Sequence, residues 1–151
     1  MEFDDLYQEI ILDHYRHPRH AGDVPEEELL VEEENPTCGD QIRLTAMVKD
    51  GTVMDIKYEA RGCAISMASA SMMSEDLIGK PIDAVRGRIR TFVKLMRGEG
   101  ESMPDEPGDL IALEGVKQFP MRIKCATMCW HAADQALDKL TGGTGPCAMS
   151  G

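Results

Sequence analysis

The chain reads as an α+β protein, a small three-stranded antiparallel sheet with helices packed on one side. Three observations predict this. Two stretches flanking Asp50-Gly51 alternate apolar and polar residues, the mark of half-buried strands joined by a tight turn. Four other stretches place apolar residues at helical spacing or are apolar throughout. No internal repeat or second hydrophobic unit is visible, so one sheet and its helices share one core.

The elements follow in order. Phe3, Leu6, Tyr7, Ile10, Ile11 and His14 form one stripe of an amphipathic helix, expected to end near His17-Pro18 because the residue before proline avoids helical geometry. Residues 19–28, with Gly22 and Pro25, read as a connection. Leu29, Leu30 and Val31 can seed a short strand, and Asn35-Pro36-Thr37-Cys38-Gly39-Asp40 is dense in turn formers. Ile42, Leu44, Ala46 and Val48 form the apolar face of a second strand, and Met54, Ile56, Tyr58 and Ala60 that of a third.

Past Gly62-Cys63 the pattern becomes helical. Residues 64–78 are rich in Ala, Met, Ile and Ser and read as a largely buried helix ending at Gly79. Pro81 suits the first turn of the next helix, whose stripe is Ile82, Val85, Ile89, Phe92, Val93 and Met96, closed by Gly98 and Gly100. A polar loop over 98–108 and a short segment around Leu110–Val116 lead to the last helix, about 121–140, with Ile123, Ala126, Trp130, Ala133, Leu137 and Leu140 at helical spacing. The expected organisation is a single domain over 1–141 and a flexible Gly-rich tail over 142–151.

Composition narrows the function classes. A net charge of -11 argues against nucleic acid as a partner, because phosphate binding needs a basic surface. The same charge disfavours anionic membranes, and no apolar run approaches the ~20 residues of a membrane helix. The acidic start MEFDDLYQEI lacks the basic and apolar regions of a signal peptide, so a cytoplasmic location is expected.

Five cysteines, an odd number without a signal peptide, argue against a disulfide framework. Cys38, Cys63 and Cys125 fall at the ends of predicted elements, where side chains can converge without breaking a sheet or helix. Helix N-termini also stabilise thiolates. Asp40, one glycine beyond Cys38, can add a carboxylate, and three thiolates with one carboxylate make a tetrahedral set that suits zinc. Spacing alone leaves two alternatives open, a shared metal site and three separately buried cysteines, since no C-x-x-C pair is present.

Asn35-Pro36-Thr37-Cys38-Gly39-Asp40, Gly62-Cys63-Ala64-Ile65-Ser66 and Arg122-Ile123-Lys124-Cys125-Ala126 resemble the three cysteine motifs of the IscU/SufU (NifU N-terminal-like) family. Ile11-Leu12-Asp13-His14-Tyr15-Arg16-His17-Pro18-Arg19 resembles that family's opening helix and its exit. The resemblance runs over about residues 4–140. Two features resemble the SufU branch. Lys124 stands where IscU-type scaffolds carry a histidine, and the 61 residues between Cys63 and Cys125 fit the longer SufU form.

The resemblance implies zinc held by Cys38, Asp40, Cys63 and Cys125, and a SufS-type pyridoxal-phosphate cysteine desulfurase as partner. Cys38 is then the residue that accepts persulfide sulfur and passes it to downstream iron–sulfur assembly proteins. A desulfurase histidine is implied to take the vacated zinc position as Cys38 swings out. Pyridoxal phosphate belongs to the partner, since the chain shows no phosphate-cradling glycine loop. The alternative is a scaffold that builds and transfers an Fe–S cluster on the same cysteines. A purely structural zinc is the third reading, disfavoured by the carboxylate ligand.

Other residues read more plainly. Cys129 is expected to be a packed cysteine, Cys147 an incidental tail thiol and Lys124 a solvated lysine beside the site. His131, six residues past Cys125, points to another helical face. His14 continues the apolar stripe and reads as half-buried packing, with His17 and His20 nearby, and the methionines fill core gaps.

Overall fold

The computed structural model describes residues 5–36, 39–100 and 103–142. Helix α1 (Asp5–Arg16) precedes strands β1 (Val31–Asn35), β2 (Asp40–Lys49) and β3 (Thr52–Arg61). Helices α2 (Ala64–Leu77) and α3 (Ile82–Met96), a 3₁₀ segment (Gly108–Gln118) and α4 (Pro120–Thr141) follow. The sheet has the order β1-β2-β3 with both pairings antiparallel. Among the described residues, no helix is long and apolar enough to cross a membrane.

The predicted α+β class holds, with three local differences. Strand β1 runs later than the apolar seed at 29–31. Its sequence VEEEN has little strand propensity, and pairing with β2 from Val31↔Leu44 to Asn35↔Asp40 overrides that. In β3 the inward face is Val53, Ile56 and Tyr58, while Met54 is exposed. A bulge between Met47 and Val48 pairs Val48 with Val53 but Met47 with Asp55, and the extra residue turns Met54 outward. Pro81 precedes α3 as its N-cap rather than lying inside the first turn.

Helix α2 is buried on nearly every side, as its Ala-, Ser- and Met-rich composition requires. It packs on α1, α4 and β3, while α4 also crosses β1 and β2. Small side chains bring the backbones close, and the four buried serines of α2 reach polar partners on neighbouring elements. The Ser69 hydroxyl donates to the Ala126 carbonyl (2.6 Å) and accepts from Trp130 Nε1 (3.0 Å), tying α2 to α4. Trp130 also stacks on Phe92 with ring centroids 4.3 Å apart, a pairing worth about 0.5–1.5 kcal/mol beyond area burial. This clamp fixes the first turns of α4 against the N-terminal end of α2.

Candidate metal centre

Three elements end at one place: the start of β2, the β3–α2 junction and the second turn of α4. Asp40 opens β2, opposite Asn35, and is fully buried. Its Oδ1 accepts from the Cys63 backbone N–H (3.0 Å) and from the Ser66 hydroxyl (3.2 Å). Its Oδ2 is buried without any hydrogen-bond partner among the described residues. An ionised oxygen left this way costs several kcal/mol unless a cation meets it.

Gly62 makes the carboxylate's position possible. Its φ of +142° favours glycine, and a Cβ there would lie 2.0 Å from Asp40 Oδ1. The next residue, Cys63, is the N-cap of α2, and its sulfur accepts from the Ser66 N–H at 3.5 Å. Cys125 is buried on α4. The ligand atoms of Asp40, Cys63 and Cys125 all lie within 4.8 Å of one another, the scale on which donors about 2.0–2.3 Å from a tetrahedral zinc sit. The unsatisfied Oδ2 and two convergent sulfurs therefore fit a thiophilic divalent cation.

Of the residues expected at the site, the structure brings together Asp40, Cys63 and Cys125. Cys38 lies outside the described residues, as does Cys147. Lys124 is exposed. The cation at the thiols is instead Arg122, one helical turn before Cys125. The negative charge of Cys63 and hydrogen bonds to Cys125 and Cys63 raise its pKa further above the usual arginine range. Spacing offered a signal for it, since positions three apart share a helix face.

Among the described residues, the other histidines and Cys129 are not part of this group of donors. Cys129 is buried beside Ser69, 3.5 Å from its hydroxyl, and burial pushes its pKa up to about 12, so it is a packed neutral thiol. His131 is half-buried on α4, its pKa lowered mainly by desolvation. His17 is exposed beside Asp13. His14 is more than half-buried packing: it is fully enclosed and hydrogen-bonded through both ring nitrogens.

Comparison with known proteins agrees with this architecture. Residues 6–142 match the NifU-like N terminal domain family. The chain is 44% identical over 140 residues to the zinc-dependent sulfurtransferase SufU of Bacillus subtilis, covering 93% of this chain and 95% of that protein. It is 37% identical over 134 residues to the iron–sulfur cluster assembly scaffold protein IscU of Streptococcus pyogenes, covering 89% and 84%. A crystal structure described as an iron–sulfur cluster assembly scaffold protein for the SUF system, from Fervidobacterium islandicum, superposes with a TM-score of 0.76 at 30% identity, covering 85% of this chain and 94% of that one. With its three-stranded sheet, its convergent Asp40, Cys63 and Cys125, and a family match over nearly its whole length, the chain belongs to the NifU-like N terminal domain family.

Proposed function

We propose that the chain is a zinc-dependent sulfurtransferase of iron–sulfur cluster assembly, with Cys38, Asp40, Cys63 and Cys125 as zinc ligands and Cys38 as sulfur acceptor. The observation that carries this reading is the buried Asp40 carboxylate, one oxygen of which has no hydrogen-bond partner among the described residues, converging with two cysteine sulfurs. The SufU relative at 44% identity, named for zinc-dependent sulfur transfer, supports it. When bound, zinc holds its cysteines as thiolates and moderates their nucleophilicity.

The chain's own residues then act as follows. The Cys63 N–H and the Ser66 hydroxyl hold Asp40 Oδ1 and so fix the carboxylate beside the sulfurs. Arg122 offsets the negative charge of the thiolates from the exposed side. The Cys38 thiolate attacks the terminal sulfur of a persulfide on a SufS-type cysteine desulfurase. The desulfurase S–S bond breaks, its cysteine leaves as thiolate, and Cys38 carries the persulfide to a downstream iron–sulfur assembly protein.

A second reading, a scaffold that assembles an Fe–S cluster on the same cysteines, is supported by the scaffold names of the Streptococcus and Fervidobacterium relatives. Mass spectrometry after anaerobic incubation with desulfurase and cysteine, without iron, tests the choice. Sulfur transfer predicts one added sulfur on Cys38, absent in a folded Cys38→Ala protein. A chain that gains no sulfur but takes up iron and sulfide, then donates a cluster to an apo-acceptor, is a scaffold.

A further inference from the structure

A second group of metal-ligating side chains lies outside the thiol site. His14 of α1, Glu75 of α2 and Asp109 at the start of the 3₁₀ segment bring one ring nitrogen and two carboxylate oxygens within 4.8 Å of one another. The imidazole is fully buried, with Nε2 2.7 Å from Asp109 Oδ2 and 3.9 Å from Glu75 Oε1. Cys63 and Glu75 are twelve residues apart in sequence, and at about 1.5 Å of rise per helical residue this cluster lies roughly 18 Å along α2 from the thiols.

The surroundings of the ring decide what its Nε2 can do. Nδ1 lies 2.7 Å from the Ser71 hydroxyl, which also accepts from the Arg19 N–H (2.9 Å). Nε2 faces two carboxylates, Asp109 Oδ2 at 2.7 Å and Glu75 Oε1 at 3.9 Å. A ring nitrogen held by a hydrogen bond while the other faces carboxylates is the arrangement that orients metal-ligating histidines.

Room and charge favour a cation. Glu75 and Asp109 are half-exposed and, with Asp76, Lys80 and Glu106, line an open cavity of about 180 Å³. Asp76 is taken by Arg88, at 2.7 Å through both oxygens, whereas Glu75 meets Arg19 only at 3.8 Å and through Oε2, leaving Oε1 toward His14. Metal–ligand bonds of about 2.0–2.2 Å seat neighbouring donors about 3 Å apart, so Asp109 need move only a few tenths of an ångström.

We propose that His14, Glu75 and Asp109 form a second divalent-cation site, open to solvent through that cavity. Its one-nitrogen, two-oxygen set contains no sulfur, so it takes harder first-row ions of the Mn2+ or Fe2+ class, whereas the thiol site takes thiophilic ions.

Mn2+ tests this in the zinc-loaded protein, whose thiol site is already filled. Binding is read from the loss of the free-ion electron paramagnetic resonance signal. The expected result is one Mn2+ per chain, weakened by about tenfold or more in Asp109→Asn and in Glu75→Gln. Asp109→Asn keeps an oxygen for the His14 contact, and circular dichroism melting checks that both variants fold. Absence of Mn2+ binding, or binding unchanged in both folded variants, would overturn the site and leave only diffuse attraction to an acidic surface.

Discussion

Gly62 and Asp40 are in mutual contact at the metal centre: the glycine's missing side chain is the space the carboxylate occupies. A Cβ on Gly62 would lie 2.0 Å from Asp40 Oδ1 and 2.8 Å from both Asp40 Cγ and the Ser66 hydroxyl. Gly62→Ala should therefore displace the carboxylate and strain a backbone held at φ +142°. We predict a loss of zinc affinity of about tenfold or more, measured against a competing chelator, and a lower melting temperature. An alanine variant with wild-type zinc affinity would contradict the role given to Asp40.

Asp40→Asn should separate stability from metal binding. In the metal-free protein Asp40 Oδ2 is buried with no hydrogen-bond partner among the described residues. An asparagine keeps Oδ1 for the Cys63 N–H and can donate to the neighbouring sulfurs. The metal-free variant should be as stable as the metal-free parent or more so, by up to about 1–3 kcal/mol, while binding zinc more weakly. Chemical denaturation with and without zinc checks both halves.

Arg122 should matter to the thiols more than Lys124 does. Its guanidinium hydrogen-bonds to both Cys63 and Cys125, whereas Lys124 points to solvent. In the metal-free protein, Arg122→Ala should slow alkylation of these two cysteines by about two- to tenfold, because a nearby cation favours the reactive thiolate. Lys124→Ala should leave the rate unchanged. Rates read by mass spectrometry of each cysteine peptide decide it.

Cys129 should shape alkaline stability. Its pKa rises from 9.0 to about 12 through burial, so the folded chain keeps the proton that the unfolded chain releases. The sign follows: this contribution is complete below about pH 9 and is lost as pH rises toward 12. The slope is about 1.4 kcal/mol per pH unit for one group. Cys129→Ala should flatten the stability profile above pH 9 relative to the parent while leaving zinc stoichiometry unchanged. Tyr58, whose pKa burial also raises, supplies a further alkaline slope in both proteins.

Much of this was legible in the sequence because periodicity reports burial directly. The alternation of Ile42, Leu44 and Tyr58 and the stripe of α3 appear where the patterns put them, whereas Leu6 near the start of α1 and Leu140 near the end of α4 are exposed. Met54 broke the pattern because a bulge between Met47 and Val48 is a property of two paired strands, invisible in either one alone. Strand β1 was hidden by its glutamates, since its order comes from pairing and not from propensity. At the metal centre, positions at element ends marked Cys63, Cys125 and Asp40 as candidates, while spacing alone left three separately buried cysteines open. The part of Arg122 depended on which face of α4 turns toward Cys63, and the burial of His14 depended on the docking of the 3₁₀ segment against α1.

The most direct test of the central claim is cysteine turnover by a SufS-type desulfurase, measured without iron, with the chain added either zinc-loaded or stripped of metal. Zinc-dependent sulfur transfer predicts a large stimulation by the zinc-loaded chain, none by the stripped chain, and none by zinc-loaded Cys38→Ala. Equal turnover with and without the zinc-loaded chain would contradict it.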